Sequence, residues 1–185
     1  MSDVPAGFVY RPDFLSADEE SALLDGVRRL DYHDVKMRGQ VARRRTSHFG
    51  FTYGYETWRV EPGPPIPDFL AALRPRAAML GGVAAEDLVE VLVTWYPPDA
   101  GIGWHRDAPM FGVVVGVSLL SECRFRFQRG TGAERRTAAV ALAPRSAYAL
   151  DGAARWQWQH SIPPGKQERY SVTYRTLRRS PRTDA

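Results

Sequence analysis

The chain has 185 residues, 44% of them hydrophobic and 25% charged, the make-up of one globular domain long enough to bury a sizeable core. Its single cysteine, Cys123, excludes an internal disulfide framework and fits a reducing compartment, and its longest nearly apolar run, Phe111 to Leu120, is too short to span a bilayer. The formal charge of +4 gathers in clusters, Arg43-Arg44-Arg45, Arg124/Arg126/Arg129, Arg135-Arg136 and Arg178-Arg179 with Arg182, which either attract polyanions or form an ordinary solvated surface.

The N-terminal Met1-Ser-Asp-Val-Pro-Ala-Gly7 has neither the basic start nor the apolar core of a secretion signal, so a soluble cytoplasmic protein is expected. Residues 1–14 read as irregular, anchored by Tyr10 and Phe14. A first helix is expected from Ser16 to Leu30. Ser16 and Glu19 have capping-box spacing, and Leu23, Leu24, Val27 and Leu30 form a core-facing stripe. A connector over Asp31–Gln40 leads into Val41–Tyr55, which mixes Arg43, Arg44, Arg45 and His48 with Phe49, Phe51, Tyr53 and Tyr55. Arginines there can hold phosphates and rings can stack on bases, but the aromatic alternation equally fits a plain β-hairpin with one buried face. The proline-rich Glu61–Pro67 cannot join a regular ladder. Asp68 is expected to cap a second helix running to about Leu80 and closed by Gly81-Gly82, with Pro75 predicting a kink or an early stop.

Leu88–Tyr96 reads as a strand running into a Pro/Gly turn that delivers His105-Arg-Asp107. In extended chain, residues two apart share a side, so an imidazole and a carboxylate can aim at one point. With a distant His they would complete the two-His-one-carboxylate set that suits non-haem Fe(II); alone, the triplet is as well read as a solvated turn. Strands are expected at Val113–Leu120, Arg124–Arg129 with Phe125 and Phe127 on one face, Ala138–Ala143 and Ala147–Leu150, with turns at Gly130–Gly132 and Asp151-Gly152. Arg155–His160 alternates, putting Trp156, Trp158 and His160 on one face. His160 is then a core histidine or a third ligand, and the upstream pair favours the ligand. Arg169–Arg175 carries Arg169, Ser171, Thr173 and Arg175 on one face and Tyr170, Val172 and Tyr174 on the other. If both faces are covered, the buried guanidinium groups need protein carboxylates or a bound diacid; the alternative is an edge strand with a solvated polar face. A polar, mobile tail is expected from Arg178. Two N-terminal helices followed by many short strands suggest a jelly-roll or related double-sheet architecture.

These motifs, with Thr94-Trp-Tyr96-Pro-Pro leading into His105-x-Asp107, His160 in Trp-Gln-His-Ser-Ile-Pro, and Arg169-Tyr-Ser-Val-Thr-Tyr-Arg175, resemble the AlkB family of Fe(II)/2-oxoglutarate dioxygenases. The resemblance runs from about Val89 to Leu177 and extends to Arg43–Gly50, which is similar to the family's nucleotide-recognition lid. It implies an α+β chain of one domain: N-terminal helices and lid over 1–87, a double-stranded β-helix (jelly-roll) core over 88–177, and a basic tail over 178–185. It further implies Fe(II) held by His105, Asp107 and His160. Arg169, helped by Tyr96, would take the distal carboxylate of 2-oxoglutarate. Arg175 would lie near Asp107 and the chelating carboxylate, and Thr94 and Ser171 would line the cosubstrate. O2 would be used to split 2-oxoglutarate to succinate and CO2 and to hydroxylate a C–H bond. On an N-methylated base of DNA or RNA this releases formaldehyde and the repaired base. Arg43, Arg44, Arg45, His48, Phe49, Phe51 and Trp104 would contact that nucleic-acid substrate, and a monomer with no membrane partner is expected. Three positions depart from the family pattern: Ser171 and Thr94 stand where Asn is usual, and Ala108-Pro109 replaces an acidic residue after the metal Asp. The last leaves open the same chemistry on a protein side chain or small molecule. The basic clusters leave open a non-catalytic nucleic-acid-binding module. A zinc hydrolase is disfavoured, because it needs no diacid pocket.

Overall fold

The computed structural model describes residues 4–37, 40–54 and 59–178. The elements before the His-x-Asp motif are β1 (Phe8–Arg11), α1 (Ala17–Val27), β2 (His33–Met37), β3 (Gln40–Gly54), β4 (Arg59–Pro62), α2 (Asp68–Ala71), α3 (Arg74–Gly81) and β5 (Leu88–Tyr96). From the motif onward come β6 (Ile102–His105), β7 (Phe111–Leu119), β8 (Cys123–Arg129), β9 (Arg136–Leu142), β10 (Ala147–Leu150), α4 (Gly152–Trp156), β11 (Gln159–Ile162) and β12 (Arg169–Leu177).

Two antiparallel sheets form. The larger has eight strands in the order β1-β10-β7-β12-β5-β3-β2, with β4 beside β3; the smaller has four in the order β6-β11-β8-β9. This is the double-stranded β-helix that the motifs imply. Two apolar layers result. One lies between the larger sheet and the helices, where Val91, Val93, Val172 and Tyr174 meet Leu23, Val27, Leu70 and Ala77. The other lies between the sheets, where Tyr96, Tyr148 and Leu150 meet Phe125, Phe127 and Leu142. Both faces of β12 and β5 are therefore covered, which is why their sequences are not simply amphipathic.

The helices follow their capping chemistry closely. Ser16 accepts from the Glu19 N–H and the Glu19 carboxylate accepts from the Ser16 N–H, so α1 starts as expected, although it ends at Val27 rather than Leu30. The second expected helix is two. Pro67, not Asp68, is the N-cap of α2, and Pro75 sits in the first turn of α3, where its missing N–H costs nothing. Gly82 closes α3 in the left-handed conformation.

Three readings are corrected. Asp31–Gln40 is not a connector, because His33–Met37 pairs with β3 as an edge strand. The segment expected to hold N-terminal helices and a lid, 1–87, also contributes strands, since β1, β2, β3 and β4 supply half of the larger sheet. Arg155–His160 is not one strand: Asp151-Gly152 opens α4, which ends at Trp156 and leaves that ring 37% exposed, while Trp158 and His160 turn inward. Tyr55 and the tail beyond Arg178 lie outside the described residues. Arg178 itself donates its N–H to the Met110 carbonyl at 2.7 Å and stacks on Trp156.

The segment likened to a nucleotide-recognition lid lies within the single strand β3, and one glycine sets its course. Gly50 has φ +79°, and a Cβ there would lie 2.0 Å from the Val89 carbonyl oxygen. Gly50→Ala is expected to cost about 3 kcal/mol, which lowers Tm by roughly 10 °C in a thermal melt.

Candidate active site

Pairing register builds one wall of the site. On the face of the larger sheet turned toward the smaller one, Thr46 pairs with Thr94, Thr94 with Ser171, and Ser171 with Ser118, a buried row of hydroxyls across four strands. One same-face step along, Arg169 pairs with Tyr96; two steps the other way, Arg175 pairs with Glu90. The smaller sheet supplies the opposite wall. His160 on β11 pairs directly with His105 at the end of β6, and their rings stand 4.3 Å apart. His160 is 6% exposed and stacks on Phe125.

Asp107 lies past the end of β6, so it is not placed by strand alternation. The loop that carries it is pinned by Arg155, 2% exposed, whose guanidinium donates to the carbonyls of Ala108, Phe111 and Gly112 at 2.7–2.9 Å. Asp107 then meets Arg175, which donates to Oδ1 at 2.7 Å, and its Oδ2 lies 3.5 Å from His160 Nε2. Arg175 is shared: it also donates at 3.1 Å to both oxygens of Glu90, a carboxylate with no exposure at all. His48 Nδ1 approaches the same Glu90 at 3.5 Å. Sequence reasoning missed both Arg155 and Glu90. The only available signal for Glu90 was a lone charge inside the apolar run Leu88–Val93.

Electrostatics follow from burial and this charge pattern. Burial alone would push the Asp107 carboxyl up, but Arg175, His160 and His105 outweigh it and hold the group well below the usual carboxylate range. Burial lowers His160 to about 3, with His105 and the buried arginines adding to the effect. Burial also lowers His105, assisted by Arg44 and Arg175. Both imidazoles are therefore neutral at physiological pH, the form that ligates metals.

The two arginines of β12 have different fates. Arg175 is answered by protein carboxylates, whereas Arg169 has none among the described residues. Arg169 is 3% exposed, its Nε donates to Ser118 Oγ at 3.1 Å, and its guanidinium carbon lies 5.1 Å from the Tyr96 ring centre. One of its terminal nitrogens is buried with no partner among the described residues. Beside it a cavity of about 330 Å³ is lined by Tyr96, Cys123, Ile162, Pro163 and Arg169. A buried cation without a counter-charge is costly, so this position calls for an anion.

A metal fits the donor chemistry. Asp107 Oδ2 is buried without a hydrogen-bond partner, and His105 Nδ1 engages the Gly103 carbonyl at 2.9 Å, which leaves the Nε2 lone pair available. As they stand, the three side chains do not close on a common point: among the described residues no trio of His, Cys, Asp or Glu side chains is spaced to hold a metal ion. The donor types nevertheless suit a divalent cation: two neutral imidazoles and a carboxylate oxygen without a hydrogen-bond partner lie between the sheets.

The residues expected to meet a substrate divide. Arg44 lies on the site side, close enough for its charge to depress His105. Arg43 is exposed, and Arg45 points the other way, paired with Asp34 at 3.1 Å and stacked on Trp95. His48 serves the Glu90–Arg175 network. Phe49 is removed from the set: it is 9% exposed and packs in the helix-side core. Phe51 is half-buried on β3, and Trp104, also half-buried, stacks under Arg126.

Known proteins share this frame. The model of the 2OG-Fe(II) oxygenase superfamily matches residues 7–180. A protein of Arabidopsis thaliana described as "Alkylated DNA repair protein ALKBH8 homolog" is 28% identical over 200 residues, covering 95% of this chain and 56% of that protein. The Mus musculus "tRNA (carboxymethyluridine(34)-5-O)-methyltransferase ALKBH8" is 26% identical over 174 residues, covering 90% of this chain and 26% of that protein. The chain thus spans about half of the first relative and a quarter of the second. The solved structure of OsALKBH1 superposes with a TM-score of 0.71 at 16% identity, covering 95% of this chain and 99% of that one, a likeness of fold. The chain belongs to the 2OG-Fe(II) oxygenase superfamily.

Proposed function

We propose that this protein is an Fe(II)- and 2-oxoglutarate-dependent dioxygenase that oxidatively removes N-alkyl groups from nucleic-acid bases. The observation that carries the reading is Arg169: a buried guanidinium with no carboxylate partner among the described residues, at the edge of a cavity between the sheets that also hold His105, Asp107 and His160. His105, Asp107 and His160 would hold the metal. When bound, Fe(II) with O2 and 2-oxoglutarate supplies the oxidation of a C–H bond, leaving succinate and CO2, and a hydroxylated N-methyl group then departs as formaldehyde.

The chain's own residues set the conditions for this. Arg175 keeps Asp107 anionic and oriented, and Glu90 fixes Arg175 from the far side. Arg169 and Tyr96 clamp one end of the diacid, which fixes where its other end can reach. Phe125 and Tyr148 dry the space between the sheets. Arg44 stands on the site side, where a base can be met. The nucleic-acid substrate is supported by what the Arabidopsis and mouse relatives are named for, and by the basic surface.

The test is a panel of methylated single-stranded RNA and DNA oligonucleotides incubated with Fe(II), 2-oxoglutarate and O2, scored by mass. Formaldehyde release together with loss of a methylene unit from at least one oligonucleotide is expected. Succinate formation without any altered oligonucleotide would move the substrate to another class, and absence of 2-oxoglutarate binding would end the reading.

A further inference from the structure

Three surface arginines answer to carboxylates: Arg45 to Asp34, Arg76 to Glu19 and Arg145 to Glu20. The outward face of the smaller sheet gathers several that do not. Phe125 and Phe127 turn into the core, so Arg124, Arg126 and Gln128 of β8 turn out. Arg126 reaches across β11, donating to Ser161 Oγ at 3.1 Å, and lies over the Trp104 ring of β6 at 4.9 Å. Gln128 bonds Gln159 of β11 and receives Arg135 at 2.6 Å. None of Arg124, Arg126 and Arg135 has a carboxylate partner among the described residues, and Glu122 and Glu134, the nearest acids in sequence, do not reach them.

Across β9, the residues opposite Arg124, Arg126 and Gln128 are Ala141, Ala139 and Thr137, so small side chains flank the guanidinium groups. Trp104, whose ring Arg126 covers, is the residue before His105. Cations held by neutral hydrogen bonds, beside small residues and leading to an aromatic ring, match a chain of phosphates with stackable bases.

We infer that the outward face of the smaller sheet, centred on Arg124, Arg126 and Arg135, is a docking track for the sugar-phosphate backbone of a single-stranded nucleic acid. The strand passes Trp104 as it leaves the active site. The inference rests on the nucleic-acid reading above. It adds a second contact surface, distinct from Arg43–Arg45 on β3, and assigns a role to an arginine cluster that the catalytic reading leaves unused.

The test compares the intact protein, Arg126→Gln/Arg135→Gln, and a control of equal charge change, Arg11→Gln/Arg29→Gln, both exposed and outside this sheet. Binding of a fluorescein-labelled single strand of about twelve nucleotides, as RNA and as DNA, is read by anisotropy across a salt series. The track variant should bind roughly tenfold more weakly at moderate salt, and its plot of log K against log salt should be shallower by about 1.4, two phosphate contacts' worth. The control should match the intact protein, and 2-oxoglutarate affinity should be the same in all three, showing that the fold and cosubstrate site are kept. An unchanged slope and affinity in the track variant overturn the track alone. A loss equal in the control overturns it too, because total charge then explains the effect. If the intact protein binds no oligonucleotide yet turns over 2-oxoglutarate, the nucleic-acid reading itself fails, and the track with it.

Discussion

Arg169→Ala is expected to raise the Kd for 2-oxoglutarate by more than a hundredfold while the protein stays folded. The guanidinium is buried, donates to Ser118, and leaves a terminal nitrogen unpartnered among the described residues beside the cavity. A diacid seated there would form two parallel charge-assisted bonds in a dry site. Truncating one partner of such a pair costs about 3 kcal/mol or more, which is over two orders of magnitude in affinity. The fold should tolerate the change, because the substitution removes a charge that no protein carboxylate balances. Arg169→Lys keeps a cation but loses the planar fork, so its Kd should fall between the two. Calorimetric titration of 2-oxoglutarate in the presence of Mn(II), with circular dichroism to follow folding, decides the matter. A Kd unchanged in Arg169→Ala would remove Arg169 from the cosubstrate site.

What could be read in the amino-acid sequence, and what could not, divides along the range of the interactions. His105, Asp107, His160, Arg169 and Arg175 were legible because each belongs to a local pattern. Their meeting between two sheets follows once the strands pair. The alternation in β12 was informative for a physical reason: a strand covered on both faces cannot hide arginines without counter-ions. The sequence did not say which arginine would find protein acids. Glu90 lies 85 residues from Arg175 and reaches it only through the β5–β12 register. Arg155 was misplaced because period-two alternation from Arg155 to His160 imitates a strand. The helical turn ending at Trp156 also returns Trp158 and His160 to the interior, so burial at those two positions fits either conformation. Phe49 illustrates the opposite failure. Its basic neighbours suggested a nucleic-acid surface, but alternation along β3 sends it to the helix-side core while Arg44 faces the site. The capping box of α1, by contrast, is entirely local, and its start was readable to the residue.

Arg175→Met is expected to be the most destabilising single change at the site, because one guanidinium neutralises two buried acids. In the intact protein it donates to Asp107 at 2.7 Å and to both oxygens of Glu90 at 3.1 Å. Removing it leaves Glu90 with only the 3.5 Å approach of His48, and Asp107 with the two imidazoles. Breaking a buried pair from one side costs about 3–5 kcal/mol, so Tm should fall by roughly 10–15 °C. The pH dependence has a definite sign. Asp107 is held below its ordinary 3.8 in the folded protein, so the stabilisation it draws from Arg175 is complete above that value and lost as pH falls toward the lowered one. The stability gap between the intact protein and Arg175→Met should therefore be full at neutral pH and narrow in acid, once the stranded carboxyls can take up protons. Adding Glu90→Gln to Arg175→Met should recover part of the lost stability, since a buried carboxamide is cheaper to desolvate than an unpaired carboxylate. The same change made alone should cost less than Arg175→Met, because Arg175 then keeps Asp107. Urea titrations of the three variants between neutral and acid pH measure each step. A gap that stays constant across that range, or a double variant no more stable than Arg175→Met, would show that Arg175 acts through packing against Phe111 and not through the charges it joins.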